Sequence, residues 1–145
     1  MKTLLFLCTG NYYRSRFAEF YFRHLAAEHK LDWHVDSRGL QLHPDNHGPL
    51  SYHTIDECKR LGISTEPLRL PIRLQEDDLV CAKLTIAVKE TEHRPLMRKN
   101  FPDWEERIEY WEIHDLDFAP AHEALPQLRQ LVESLFERLQ TEMEL

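Results

Sequence analysis

Leu4-Leu5-Phe6-Leu7-Cys8-Thr9-Gly10-Asn11-Tyr12-Tyr13-Arg14-Ser15 decides the reading of this chain. A short apolar run ends in a cysteine; five residues later come an arginine and a serine, and a helical pattern follows. The run has strand length and strand residues, and Thr9-Gly10-Asn11 terminates it. Gly10 has no Cβ and enters positive φ freely, and Asn11 is among the few other residues that tolerate it. A loop that curls back on itself can then point successive N–H groups inward as an anion nest.

Arg14-Ser15 opens a helix whose first turn adds unpaired N–H donors and a positive dipole end. The planar fork of arginine binds two oxyanion oxygens at once, which lysine does not. The same field favours thiolate over thiol at Cys8. A thiolate facing a bound phosphorus atom is a nucleophile, so the pattern points to cysteine-dependent phosphate-ester cleavage. A cysteine ending a buried strand is more often a small core residue. What argues against that here is the ordered succession of strand, Gly-Asn turn, arginine, serine and helix.

Cys8-x-x-Asn11-x-x-Arg14-Ser15 in this setting resembles the low-molecular-weight protein tyrosine phosphatase family, which also includes thioredoxin-coupled arsenate reductases. The likeness continues in Phe17-Ala18-Glu19, Val35-Asp36-Ser37-x-Gly39, Gly62-Ile63 and Trp111-Glu112-Ile113-His114-Asp115. It implies a flavodoxin-like phosphatase fold with no cofactor and no metal. It also implies that Cys8 is the nucleophile and Arg14 the oxyanion ligand. Thr9, Gly10, Asn11, Tyr12, Tyr13 and Ser15 would supply the rest of the phosphate loop. Asp115 falls at the family's general acid, although the usual following proline is Leu116; Asp117 is a rival two residues on. Tyr12 and Phe118 would wall the substrate pocket. Tyr13 stands where many members carry a second loop cysteine, and Arg16 where proline is common.

The remaining composition is consistent with one domain in 145 residues, large enough for a proper core. The net charge of −7 disfavours a nucleic-acid partner. Yet residues 1–30 carry five basic side chains against two acidic ones, so a local anion site persists. Nothing approaches a membrane span, and the apolar run after Lys2 is too short for a signal peptide. Three scattered cysteines form no disulfide framework and suit a reducing cytoplasm. His43, His47 and His53 match no zinc spacing.

Strand and helix patterns alternate as β-α-β-α-β-α-β-α. Strands are expected at 4–8, 33–37, 84–88 and 107–113. Helices are expected at 15–29, 52–61, from a Thr91 cap to before Asn100, and along the stripe Leu125 to Leu139. This is an α/β single domain, a four-stranded parallel sheet with helices on both faces. Ligands in such sheets sit at the carboxyl ends of the strands, where Cys8 and Asp115 both fall. The expected activity is phosphomonoester hydrolysis, on a phosphotyrosine protein or other aryl phosphate, with inorganic phosphate or another oxyanion able to occupy the loop. Arsenate reduction, a catalytically weak anion- or partner-binding module, and a flavin-binding module are the alternatives. Val88 and the residues after it contain no cysteine for the first, and the nucleophilic thiol has no place in the last.

Overall fold

Strand β1 (Lys2–Cys8) is an apolar run because it is covered on both faces. Its side chains alternate: Leu4, Phe6 and Cys8 join one core cluster, and Leu5 and Leu7 join another. In the computed structural model, which describes residues 1–144, β1 lies between β2 (Trp33–Gly39) and β3 (Leu84–Ala87). The fourth strand, β4 (Glu109–Tyr110), lies outside β3. The order is β2-β1-β3-β4 and every pair is parallel. The chain reverses its direction of travel across the sheet between β1 and β3, which makes their carboxyl ends the switch point.

Helices α1 (Arg14–His29), α2 (Tyr52–Leu61) and α5 (Ala121–Glu144) contribute to the cluster of Leu4 and Phe6. Helices α3 (Glu76–Cys81) and α4 (Glu90–Asn100) cover the other face through Leu79 and Met97. The stripe Leu125, Leu128, Val132, Leu135, Phe136 and Leu139 of α5 is buried throughout. Each such side chain contributes about 1.5–3 kcal/mol, an upper figure because the unfolded chain is already partly collapsed. Burial against α1, more than intrinsic propensity, therefore holds α5 in place.

The structure departs from the sequence expectation at four elements. Helix α3 was not expected: it has six residues and buries only Leu79, too little for a period to show. Strand β4 has two residues where 107–113 was expected. Beyond it Trp111 and Ile113 still donate to the carbonyls of Ala87 and Val88, at 2.9 and 2.7 Å, but the regular ladder has ended. Thr91 does not cap α4: Lys89 occupies the cap position, and the Thr91 hydroxyl donates to Glu112 at 2.7 Å. Helix α5 begins at Ala121, ahead of its apolar stripe.

Gly39 pairs with Cys8 at the end of the sheet. A Cβ there would stand 2.8 Å from the Thr9 carbonyl and 2.7 Å from Leu42. The Thr9 carbonyl cannot withdraw freely, because it accepts from Gln41 N–H at 2.9 Å. Gly39→Ala should therefore lower unfolding free energy by about 1–3 kcal/mol, measured by urea denaturation; an unchanged midpoint would mean that this contact yields.

Candidate active site

Between β1 and α1 the chain turns its carbonyls outward. Those of Cys8, Thr9, Tyr12 and Tyr13 accept from Leu40, Gln41, Ser51 and Phe17 N–H groups at 2.9–3.0 Å. The N–H groups of Thr9 to Ser15 serve as donors in none of the backbone or side-chain bonds among the described residues. An unpaired run of this kind can serve as an anion nest. Asn11, not Gly10, takes the left-handed conformation, with φ 51°. Gly10 is needed for space: a Cβ would press on His43 and Asn46 at 3.2 and 3.3 Å.

Asn11 is a buried brace. Its amide nitrogen donates to Ser15 Oγ at 3.0 Å and to Ser37 Oγ at 2.9 Å. Its oxygen accepts from Ile72 N–H and from Arg69 Nη1, both at 3.0 Å. Because Ser15 Oγ receives the Asn11 proton, its own hydroxyl hydrogen is free for Cys8 Sγ, 2.9 Å away. Ser37 Oγ donates to Glu19 at 2.6 Å, and Glu19 also holds buried Arg16 at 2.9 Å. A continuous polar network thus runs from below the sheet edge to the sulfur.

Arg14 is almost wholly buried, with 2 % of its surface exposed. Nη1 donates to the Ile113 carbonyl at 3.0 Å and to Glu92 Oε1 at 3.3 Å, and Nη2 to Glu92 Oε2 at 2.7 Å. Asp115 Oδ2 lies 3.4 Å from Nη2. Burial alone would lower the proton affinity of the guanidinium; the Cys8 sulfur, Glu92 and Asp115 outweigh burial and raise it. Glu92 also accepts from the Thr9 hydroxyl and lies 3.0 Å from His93 Nε2. Burial would raise the Glu92 carboxyl, but hydrogen bonds from His93, Arg14 and Thr9 hold it well below the usual carboxylate range. His93 is fully buried, and burial pushes it below its ordinary value, so it is the neutral form. Lys89 N–H donates to Nδ1 at 3.0 Å, which places the ring proton on Nε2.

Cys8, Gly10, Tyr12, Tyr13, Arg14 and Asp115 line one cavity of about 340 Å³, with His43, Asn46, Leu116 and Asp117 also on its walls. Tyr12 is half-buried, its hydroxyl donating to the His47 carbonyl at 2.5 Å. Phe118 does not line this cavity. It is 70 % exposed and sits over Lys89 Nζ at 3.9 Å, on a neighbouring hollow. The turn after Asp115, where Phe118 N–H donates to the Asp115 carbonyl, carries it outward and brings Leu116 to the wall instead. Burial and nearby Asp115 push the Tyr13 phenol up to about 12, so it is neutral, and its buried hydroxyl has no partner among the described residues. Among those residues no three His, Cys, Asp or Glu side chains form a metal-holding group.

Glu92, His93 and Arg69 were not singled out from sequence. An acidic residue and a histidine in the first turn after β3, at the switch point, was the available signal for the first two. Nothing in the aperiodic segment around Arg69 signals its role.

A buried thiol, an arginine and a carboxylate thus line one cavity beside a run of unpaired loop amides. The family description "low molecular weight phosphotyrosine protein phosphatase" matches residues 3–145. The chain belongs to this family. Arsenate reductase 1 of Staphylococcus haemolyticus is 28% identical over 141 residues, spanning 96% of this chain and 92% of its own length. The low molecular weight protein tyrosine phosphatase of T. tengcongensis superposes with a TM-score of 0.80 at 25% identity, covering 95% of this chain and 99% of its own. The YwlE arginine phosphatase of Geobacillus stearothermophilus superposes at 0.78 with 24% identity, covering 98% and 95%, and shares the fold. The family is one of cysteine-based phosphatases, with a reductase among its relatives. No described helix is long and apolar enough to cross a membrane.

Two outcomes follow from the geometry. Asn11→Ala leaves the Ile72 amide and two serine hydroxyls short of a partner and puts alanine at φ 51°. It should cost about 1–3 kcal/mol or more of stability, read as a fall in the denaturant midpoint; a neutral effect would remove Asn11 as a brace. The second concerns pH. Glu92 and Asp36 are both lowered from ordinary values of 4.5 and 3.8, and His93 from 6.5. All three bind protons more readily unfolded, so the stability they contribute is present above those ordinary values and is lost as pH falls through and below them. Urea midpoints should decline from neutral pH to about pH 4; a rise over that interval would contradict the assignment.

Proposed function

We propose that this protein hydrolyses phosphomonoesters, with phosphotyrosine or another aryl phosphate as the preferred class, through a phosphocysteine intermediate. The observation that carries the reading is Cys8 Sγ, held 2.9 Å from the Ser15 hydroxyl beside a run of unpaired loop amides, in the cavity that Arg14 and Asp115 also line. Cys8 attacks phosphorus while the bond to the leaving oxygen breaks. Arg14 and the amides hold the equatorial oxygens, where transition-state charge accumulates. Asp115 gives its proton to the leaving oxygen. As carboxylate it then takes a proton from water, which attacks phosphocysteine, releases phosphate and restores the thiolate.

Asp115 is favoured over Asp117 because its carboxylate lies 3.4 Å from Arg14, beside the reacting centre. Tyr12, fixed through its hydroxyl, offers a flat wall to an aromatic leaving group. One observation supports a second substrate class. Asp115 and Asp117 both line the cavity, and two carboxylates would suit the guanidinium of phosphoarginine; a structural relative is named an arginine phosphatase. Arsenate reduction is less well supported. Cys58 is fully buried in α2 and burial pushes its thiol up to about 12, while Cys81 sits at the end of α3. A free thiol nucleophile fits a reducing cytoplasm, and phosphate or a similar oxyanion would be the product left in the loop.

Steady-state hydrolysis of phosphotyrosine, nitrophenyl phosphate and phosphoarginine is the direct test. Cys8→Ser should abolish turnover while phosphate binding stays measurable; near-normal hydrolysis by that variant would sink the mechanism. Arg14→Lys keeps the charge but loses the fork, and should lower kcat/KM on the order of a hundredfold or more. Asp115→Asn should slow phosphotyrosine more than nitrophenyl phosphate, whose leaving group barely needs a proton, and remove the basic limb of the pH–rate profile. Asp117→Asn should do neither. A wild-type protein that binds phosphate but turns over none of the three esters would be a binding module.

A further inference from the structure

The loop that holds the nucleophile has two ends, and one carboxylate touches both. Glu92 Oε2 accepts from the hydroxyl of Thr9, directly after Cys8, and from Arg14 Nη2, at the start of α1. The pair from Thr9 spans 83 positions of sequence, so nothing local creates it. Glu92 itself is held by neutral His93, whose Nε2–H is shared between Glu92 Oε2 at 3.0 Å and Thr9 Oγ1 at 3.1 Å.

The manner of contact with Arg14 matters. A guanidinium has two forks, an end-on pair of Nη groups and a side-on pair of Nε with one Nη. Glu92 takes the end-on pair, Oε1 with Nη1 and Oε2 with Nη2, and the Ile113 carbonyl takes a second proton of Nη1. The side-on edge, Nε with the remaining Nη2 proton, makes no hydrogen bond to the described residues. Asp115 Oδ2 lies 3.4 Å from Nη2.

We infer that Glu92, oriented by His93, is a positioning residue that staples the two ends of the phosphate loop and turns Arg14 so that its side-on fork serves the oxyanion. The kinetic part of this rests on the phosphatase reading; the geometric part does not. The carboxylate opposes anion binding by its charge while favouring the transition state by its geometry. Removing it should separate the two effects, lowering kcat without weakening the hold on a bound anion.

The test compares wild type with Glu92→Gln and Glu92→Asp, each checked for folding by thermal melting, in two independent measurements. The first is kcat for an aryl phosphate with the inhibition constant of inorganic phosphate. Glu92→Gln should lose about tenfold or more in kcat, with phosphate inhibition unchanged or tighter. Glu92→Asp keeps the charge but is a methylene too short to reach both ends, so it should remain impaired; full rescue by aspartate would leave only a charge effect and overturn the staple. The second measurement is the ¹⁵N spectrum of the Arg14 guanidinium. Its Nη resonances should be separate in wild type, where rotation is held, and coalesce in both variants. Identical spectra in wild type and Glu92→Gln would overturn the inference whatever the kinetics. Should wild type prove inactive while the spectra still differ, the phosphatase reading fails and the staple stands. If Glu92→Gln does not fold, the aspartate variant carries both measurements.

Discussion

A loop that is to bind a multiply charged anion with its own amides has to leave those amides unpaired within the protein. An unpaired loop has no ladder to hold its shape, and the rest of this structure depends on how that constraint is met. Four carbonyls, those of Cys8, Thr9, Tyr12 and Tyr13, are paired instead, with Leu40, Gln41, Ser51 and Phe17, and those bonds fix the course of the loop while its amides stay unpaired. The Asn11 side chain supplies from the centre what a ladder would supply along an edge. It reaches Ser15, Ser37 and the segment of Arg69 and Ile72, three separate parts of the chain.

The fold is the means by which those parts arrive together. Parallel strands end on one rim, and the crossing from β2 over β1 to β3 opens a crevice there. Cys8 comes from the end of β1, Glu92 and His93 from the helix after β3, and Asp115 from the turn after β4. The price of clustering so many ionisable groups is desolvation, and three of the buried ones show how it is met. Buried Arg14 has Glu92, buried Arg16 has Glu19, and buried His93 stays neutral.

Legibility in the sequence followed range. Cys8, Asn11, Arg14 and Ser15 act within a few residues of one another, and their spacing encodes a loop closed on an adjacent helix. The alternation of strands and helices is likewise local, so the sheet and its carboxyl rim could be read. Glu92 and Arg69 could not be read in the same way: their partners lie 78–83 and 58 positions away, and contacts of that range leave no period. Phe118 failed for a related reason. A family-like position in a loop fixes the backbone's neighbourhood but not the direction of a side chain after a turn, and here Leu116 faces the cavity. Strand β4 was read too long because Trp111 and Ile113 have strand-like residues and strand-like bonds without continuing the regular pairing.

Two residues of regular strand precede the connection to Asp115, and beyond them the tie to β3 is carried by the single bonds of Trp111 and Ile113. The turn of Asp115 leads directly to α5, whose apolar stripe is anchored against α1. The thiol is sewn into the central strand, whereas the carboxylate lies in the connection between β4 and α5. A local opening of the connection before that helix, well short of global unfolding, would change the distance between the carboxylate and the thiol without disturbing β1.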